Sequence, residues 1–493
     1  MLRSRYLFWL LVGVAVLAAP RTARADESDS PDTFQYVGPT QKNYLRAIFE
    51  LGALTTVGIA WYAIDVKKGA NVDYRWQMFE RKLSGTAFGH DDNAFGTNFH
   101  GHGVGGNVYY LSARSNHLSI PESFGFAVAG ATLWEYFGEI GEIVSVNDLI
   151  VTPLTGVGVG EPLTQFGAYF DRRPPSFVNR LFGTLFGPLK SVNDALDGAQ
   201  LSRDSNPRND WHRFRLAVSP MFTKSEFTDS RRAVANSSNF RFDWDERLAR
   251  LRDYEDVGDR AEFFVDGNLS GMSLRAAYGE RGFSDFAFST NVVPFGYYRR
   301  RAQLSAAGLQ GGGFVLGFEL GYRYLVHRYL DGPTDMLDRA AFVRPLGVMF
   351  EFRGHLGSAT VSSRVDLLAA YGGVHPLASR AFGPDRDQLP LVLNHFDYYF
   401  GAGGELEASL DVSFHRLAAD ASLLGRRFSC VDEHAHLPIR DAWERYVAGL
   451  TYRLGDGWSA RIFGEKAFRS GMLGDARASV RESTSGLELR TTF

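Results

Sequence analysis

Gly486-Leu487-Glu488-Leu489-Arg490-Thr491-Thr492-Phe493 carries Leu487, Leu489, Thr491 and Phe493 on one side of a two-residue period and Glu488, Arg490 and Thr492 on the other. A period of two sends alternate side chains to opposite faces of a strand. An apolar face, a charged face and a last aromatic residue read as the closing strand of an outer-membrane β-barrel, with lipid outside and a polar lumen inside. The segments upstream repeat the pattern. It is clearest where Phe314, Leu316, Phe318, Leu320, Tyr322 and Tyr324 alternate with Val315, Gly317, Glu319, Gly321 and Arg323.

Extending this reading predicts twelve strands, near 211–222, 260–267, 270–279, 297–309, 313–326, 340–354, 357–371, 395–409, 411–424, 440–454, 458–468 and 483–493. Tight links (Gly267-Asn268, Gln310 to Gly312, His355-Leu356, Gly455 to Gly457) are expected on one side of the barrel. Long ones (223–259, 280–296, 327–339, 372–394, 425–439, 469–482) are expected on the other, the arrangement of barrels whose short turns face the periplasm. Residues 239–244 read as a further strand or as part of a loop.

The inward positions are expected to hold Arg275, Arg301, Glu319, Arg323, Glu351, Arg353, Arg364, Asp366, Glu405, Glu407, Asp411, His415, Arg445, Arg453, Arg461, Glu465, Glu488 and Arg490. Charges of both signs at that density read as interlocking ion pairs, because buried charges occur paired. A permeation path is the alternative.

Residues 1–25 read as a signal peptide. Arg3 and Arg5 open it, Tyr6 to Ala19 form the apolar stretch, and Ala23-Arg24-Ala25 is a small-x-small cleavage site. Among the 493 residues, 39 Phe and 21 Tyr suit the outward and girdle positions of a membrane barrel. The net charge of −3 argues against nucleic acid as a partner. A single cysteine, Cys430, allows neither an intrachain disulfide nor a thiolate cluster. The apolar run Leu51 to Ile64 is shorter than the roughly 18 residues of a spanning helix, so it reads as a buried or interfacial helix.

Residues 26–210 read as a mainly helical domain, periplasmic or plug-like, and 211–493 as the barrel. A helix is expected from Pro121 to about Val144, with Glu135, Glu139 and Glu142 stacked on one face beside Trp134. The run Gly156 to Pro162 reads as a glycine-rich turn, and lacks the Lys-Ser/Thr pair of a phosphate loop. His90, Asp91 and Asp92 are expected in an exposed loop. Glu433, His434 and His436 are expected in an extracellular one.

The chemistry-bearing residues gather in one stretch: Asn98, His100, His102, Glu135, Glu139, Glu142, Asp148 and Glu161. Imidazoles and carboxylates are the ligand types of Zn, Fe or Mn, and a carboxylate stripe facing a His-bearing segment is how helical bundles assemble such sites. His100, His102, Glu135 and Glu139 are therefore the candidate ligands of a divalent metal. The competing reading is a polar helix face whose groups satisfy one another. Within this stretch no His-Glu-x-x-His or Glu-x-x-His occurs, and the sequence has no Gly-x-Ser-x-Gly, so neither a zinc protease nor a nucleophile elbow is indicated.

Between residues 98 and 161, Asn98-x-His100-x-His102, Tyr109-Tyr110, Trp134-Glu135, Glu139, Asn147-Asp148 and Gly160-Glu161 together resemble a family of bacterial envelope proteins catalogued only as a domain of unknown function. That resemblance implies a place in the envelope and, as the family has no established activity, carries over no catalytic role.

The expectation is thus an outer-membrane barrel whose helical domain sits under or inside it and closes or gates it, a non-enzymatic envelope role. The alternative is a membrane-associated hydrolase or metal-dependent enzyme acting on lipid or another envelope component through the His/Glu cluster. The expected partners are outer-membrane lipid and the barrel-assembly machinery.

Overall fold

The structure, a computed structural model, describes residues 34–62, 64, 76–91, 93–203, 210–228, 233–280, 282–306, 308–329, 336–380, 398–432, 435, 437–455 and 457–493. The signal segment 1–25, Asp92, Glu433, His434 and His436 lie outside the described residues.

Among the described residues seven helices precede the barrel: α1 (Tyr44–Trp61), α2 (Trp76–Leu83), α3 (His102–Ser115), α4 (Ile120–Leu133), α5 (Val146–Asp171), α6 (Phe177–Phe186) and α7 (Pro188–Leu196). A π-helical turn, Thr97–Gly101, leads into α3, and a second, Trp134–Gly138, follows α4. Four short strands lie among them, β1 (Phe34–Val37), β2 (Phe88–Gly89), β3 (Val144–Ser145) and β4 (Gln200–Arg203). Ser119 caps α4 in a capping box with Glu122, and Pro121 sits in its first turn, as the start signal at this point predicts.

The barrel strands are β5 (Trp211–Phe227), β6 (Ala233–Ala249), β7 (Gly258–Phe264), β8 (Leu269–Gly279), β9 (Gly282–Ser305), β10 (Gly308–Tyr329), β11 (Met336–Leu356), β12 (Ala359–Val374), β13 (Tyr399–Phe414), β14 (Leu417–Cys430), β15 (Ile439–Gly455), β16 (Trp458–Leu473) and β17 (Ala476–Thr492). All pair antiparallel, and β17 pairs back onto β5 to close the sheet. β7 and β8 run in the same direction along β9, pairing Gly258 to Phe264 with Ala302 to Gly296 and Leu269 to Gly279 with Val293 to Gly282. They are two halves of one broken strand, so the thirteen segments make a twelve-stranded barrel.

The expected count holds, but its assignments change. Ala233–Ala249 is a full strand where a long loop was expected, and the two predicted strands 260–267 and 270–279 are the broken one. The links Gly279 to Gly282 and Leu473 to Ala476 are tight, because β9 and β17 begin well before the predicted strands. The expected contrast between short and long sides is correspondingly weaker. Arg301 and Arg453 are exposed, and His415 sits in the turn between β13 and β14 at φ 51°. Arg301 and His415 leave the inward set, whereas Arg453, paired with Ser459 two residues from lumen-lining Arg461, keeps the inward register at the exposed end of β15.

By packing, the described residues divide into two units: those of Thr40–Gln165 with Asn209–Phe493, and those of Phe166–Arg208 with Phe34–Pro39. In the smaller unit Phe166, Phe170, Phe182 and Phe186 stack, Lys190 pairs with Asp171 at 2.9 Å and Asp194 at 2.5 Å, and β1 pairs antiparallel with β4.

In the larger unit the outward face of the barrel exposes Phe295, Leu316, Val348, Phe350, Leu367, Leu406, Leu450 and Ile462. An apolar belt around a closed sheet is the surface of an outer-membrane barrel. The opposite face lines a lumen of about 710 Å³ with charges of both signs. Arg364 pairs there with Glu319 (2.7 Å) and Asp366 (2.8 Å), Arg323 with Glu405 (3.1 Å), Arg445 with Glu465 (2.6 Å) and Arg275 with Asp243 (3.0 Å). Pairing offsets the desolvation cost of such buried ions, and removing one partner leaves the other charge uncompensated.

Both ends of the lumen are narrowed by the barrel's own segments. After β12 the turn Leu377–Arg380 is held by Leu377 N donating to Asp441 Oδ1 (3.1 Å) and by Arg469 donating to the His375 carbonyl (2.9 Å), over a cluster of Phe227, Tyr329, Phe342, Tyr399 and Phe428. At the other end the segment after β6 turns inward. Tyr254 donates to Glu351, Glu255 pairs with Arg353, and the Asp256 carbonyl accepts from Arg300 (2.9 Å).

The helices of this unit pack on the outside of the wall. Tyr322, Ala341, Val343 and Phe400 share a buried cluster with Phe95, Phe99, Val151 and Val159, and these strand positions alternate with the lumen-facing ones. Among the described residues, the lumen lining comes from the strands alone. Of the two expected placements, under the barrel or inside it, the second does not hold for these helices: their apolar faces meet the outward aromatic stripe.

The run Gly156 to Pro162 is helix rather than turn, lying inside α5. Its glycines serve close approach. A Cβ on Gly158 would fall 2.9 Å from the Gly321 backbone, and one on Gly106 would fall 1.8 Å from the Thr152 carbonyl oxygen. Thr290 Oγ1 donates to the Gly158 carbonyl at 2.7 Å and fixes α5 to β9.

Candidate functional site

The two π-helical turns widen the helix where it delivers polar side chains, a recurrent feature of functional sites. The first ends just before His102, and the second carries Glu135. The third contributor is Asp148 in the first turn of α5, where backbone N–H groups favour negative charge. His102 Nε2 lies 3.4 Å from Asp148 Oδ2. One ligand atom from each of His102, Glu135 and Asp148 lies within 4.8 Å of the others, and the three side chains are 9%, 1% and 1% exposed.

Around them is a shell of amides. β2 and β3 pair in parallel and bring Asp91 beside Asn147. Asp91 accepts from Asn98 (2.7 Å), Asn93 (2.8 Å) and Asn147 (3.2 Å), and its own N–H donates to Asn147 Oδ1 (3.1 Å). Asn147 also donates to Asp148 Oδ1 (3.1 Å), while Ser145 N donates to Glu135 Oε2 (2.7 Å). Each of the two carboxylates thus has one oxygen fixed by an amide. Glu135 Oε1 and Asp148 Oδ2 have no hydrogen-bond partner among the described residues. The barrel closes the shell, since Asn98 also donates to Tyr398 Oη (2.8 Å), which donates to the Asn93 carbonyl (2.8 Å).

Burial dominates the electrostatics. It pushes the Glu135 carboxyl up to about 8, with Glu139 adding to the effect, and it pushes Glu139 up to about 7, with Glu142 adding. Asp148 is also held well above the usual carboxylate range by burial, then by Asp91 and Glu135. Burial lowers the His102 imidazole to about 4. The neighbouring cation is buried Lys82, whose Nζ donates to the carbonyls of Glu135 and Glu139 (2.8 Å for the latter).

The remaining expected residues are dispersed. His100 stacks on Tyr324 with ring centroids 4.5 Å apart and is not in the three-residue group. Glu139 and Glu142 follow the second π-helical turn instead of sharing a helical face with Glu135, because that helix ends at Gly138; Glu142 accepts from Tyr62 Oη at 2.6 Å. Glu161 belongs to another network, accepting from Tyr110 (2.5 Å), Arg114 (2.7 and 2.9 Å) and Gln165. His90, expected in an exposed loop, hydrogen-bonds Tyr371 Oη at 3.1 Å and packs on Phe400. Asp91, Lys82, Ser145 and Tyr398 were not among the candidates. The approach of Tyr398 depends on the barrel register, which local sequence does not reveal.

No curated relative matches the chain. Several solved outer-membrane barrels align with it at low identity. A loop L8 deletion mutant of OmpT, an outer membrane protein of Vibrio cholerae, is 10% identical over 58% of this chain and 99% of its own, with a TM-score of 0.21. A FadL homologue of Pseudomonas aeruginosa is 9% identical over 57% and 90%, with a TM-score of 0.25. The toluene transporter TodX of P. putida is 10% identical over 57% and 90%, with a TM-score of 0.24. Residues 87–189, which hold all three residues of the cluster, match the family described as "Domain of unknown function (DUF3943)".

Proposed function

We propose that this protein is a non-conducting outer-membrane barrel that anchors the helices between Thr40 and Gln165 to its wall, in a non-enzymatic envelope role. The observation that carries this is the double narrowing of the lumen by Leu377–Arg380 and by Tyr254–Asp256, with the helices docked outside. Closure by the helices is then closure of the wall. Gln165 donates to the Asp266 carbonyl (3.1 Å) and accepts from Arg250 (2.5 Å), which lays α5 over the break between β7 and β8. Insertion would follow the barrel-assembly machinery, as for other closed sheets of this membrane. In a planar lipid bilayer the full-length protein should stay at baseline current, and deletion of Leu377–Arg380 should produce openings. Steady conductance of the intact protein would contradict the proposal.

The second reading, a metal-dependent enzyme acting on an envelope component, draws on the His102, Glu135 and Asp148 cluster. All three side chains are buried, so a substrate would reach them only if the helices part. That favours a structural use of the cluster.

A further inference from the structure

We infer that His102, Glu135 and Asp148 bind one divalent first-row transition-metal ion, with zinc the best fit, as a structural staple joining the start of α3, the π-helical turn after α4 and the start of α5.

The donor set is the first argument. One imidazole and two carboxylates are ordinary zinc ligands, with bonds of about 2.0–2.2 Å; at a tetrahedral angle such bonds separate the donor atoms by about 3.4 Å. His102 Nε2 and Asp148 Oδ2 stand at 3.4 Å, and Glu135 needs only a small approach from its place within 4.8 Å.

The second argument is the state of the carboxylate oxygens. Side chains 1% exposed normally satisfy both oxygens, yet Glu135 Oε1 has no hydrogen-bond partner among the described residues and Asp148 Oδ2 meets only the His102 ring nitrogen at 3.4 Å, while their sister oxygens are fixed by Ser145 N and Asn147 Nδ2. One oxygen oriented by an amide and the other left for an ion is the usual outer-shell arrangement of a metal carboxylate. Asp91, saturated by three amides, orients Asn147 from behind.

The third is location. The three ligands come from three helical segments, two of which meet closely where Gly106 of α3 packs against Thr152 of α5. An ion here would fix their mutual angle and, through Asn98 and Tyr398, their seat on the barrel.

The test is the metal content of the full-length protein, purified from membranes in detergent and dialysed without chelator, then reloaded with Zn²⁺ or Co²⁺. Wild type should carry about one ion per chain, and the Co²⁺ form should show the visible bands of a low-coordinate nitrogen–oxygen site. His102→Ala and Glu135→Gln should lose the ion while keeping the heat-modifiable migration of a folded barrel. Asn147→Ala should weaken binding about 10–100-fold. Glu161→Gln, in the separate Arg114 network, should retain it. A wild-type protein that takes up neither metal stoichiometrically, or a Glu135→Gln protein that keeps its ion, would overturn the inference. Should a variant fail to fold, the Co²⁺ spectrum of wild type still decides.

Discussion

Tyr322 and Arg323, adjacent in β10, serve opposite sides of one wall: Tyr322 donates to the Phe99 carbonyl at 3.0 Å among the helices, and Arg323 Nη1 donates to Glu405 Oε2 at 3.1 Å in the lumen. The two-residue period of a strand gives this division at no further cost. It lets a charged interior and an apolar docking face coexist on the same stretch of chain.

The docking face predicts a severe effect from a small change. Gly158→Val places a side chain where a Cβ alone would meet the Gly321 backbone at 2.9 Å. Overpacking of this kind costs about 1–3 kcal/mol. Limited proteolysis should cut the helical region of the variant sooner than that of wild type, while the barrel keeps its heat-modifiable migration. Equal cleavage would contradict the tight contact.

In the lumen, Arg364→Ala should leave Glu319 and Asp366 short of a counter-charge. Breaking a buried pair from one side costs about 3–5 kcal/mol. Arg453→Ala, at an exposed position, should change stability little. The measurement is urea unfolding of both variants in lipid vesicles, and similar losses would remove the lumen network as a source of stability.

Glu139 supplies a pH prediction for the chelator-treated protein. Its folded value is raised to about 7 by burial and then by Glu142. A raised carboxyl stabilises the fold fully below its unfolded value of about 4.5, and that stabilisation is lost as pH rises through about 7; at about 1.4 kcal/mol per unit it amounts to at most ~3 kcal/mol. Glu139→Gln stays neutral throughout and should flatten the fall of melting temperature between pH 4.5 and 7. An unchanged slope would assign the dependence to other groups.

The barrel was legible because β10 and β17 alternate cleanly. β6 was not, since Asn236 and Ser238 interrupt its outward side and a polar strand resembles a loop. The break at residues 265–268 had the opposite effect, turning one strand into two, and the errors cancelled in the count. At the candidate site His102, Glu135 and Asp148 were all visible as ligand types in one stretch. Their separation from His100, Glu142 and Glu161 depended on two π-helical turns and on the Arg114 pair, which helical periodicity does not encode. The side of the wall on which the helices dock was equally hidden, because an outward stripe of Tyr and Phe reads the same whether it meets lipid or another apolar surface.

That placement is tested most directly by cross-linking. Phe99 packs on the outward side of Gly373, where a Cβ would approach its ring to 2.2 Å, whereas Ser409 lies on the lumen side of β13. With Cys430 replaced by Ser, the pair Phe99→Cys with Gly373→Cys should be joined by a short bismaleimide linker in intact outer membranes. The pair Phe99→Cys with Ser409→Cys should not. Linkage to position 409 and none to 373 would place the helices inside the barrel and contradict the account.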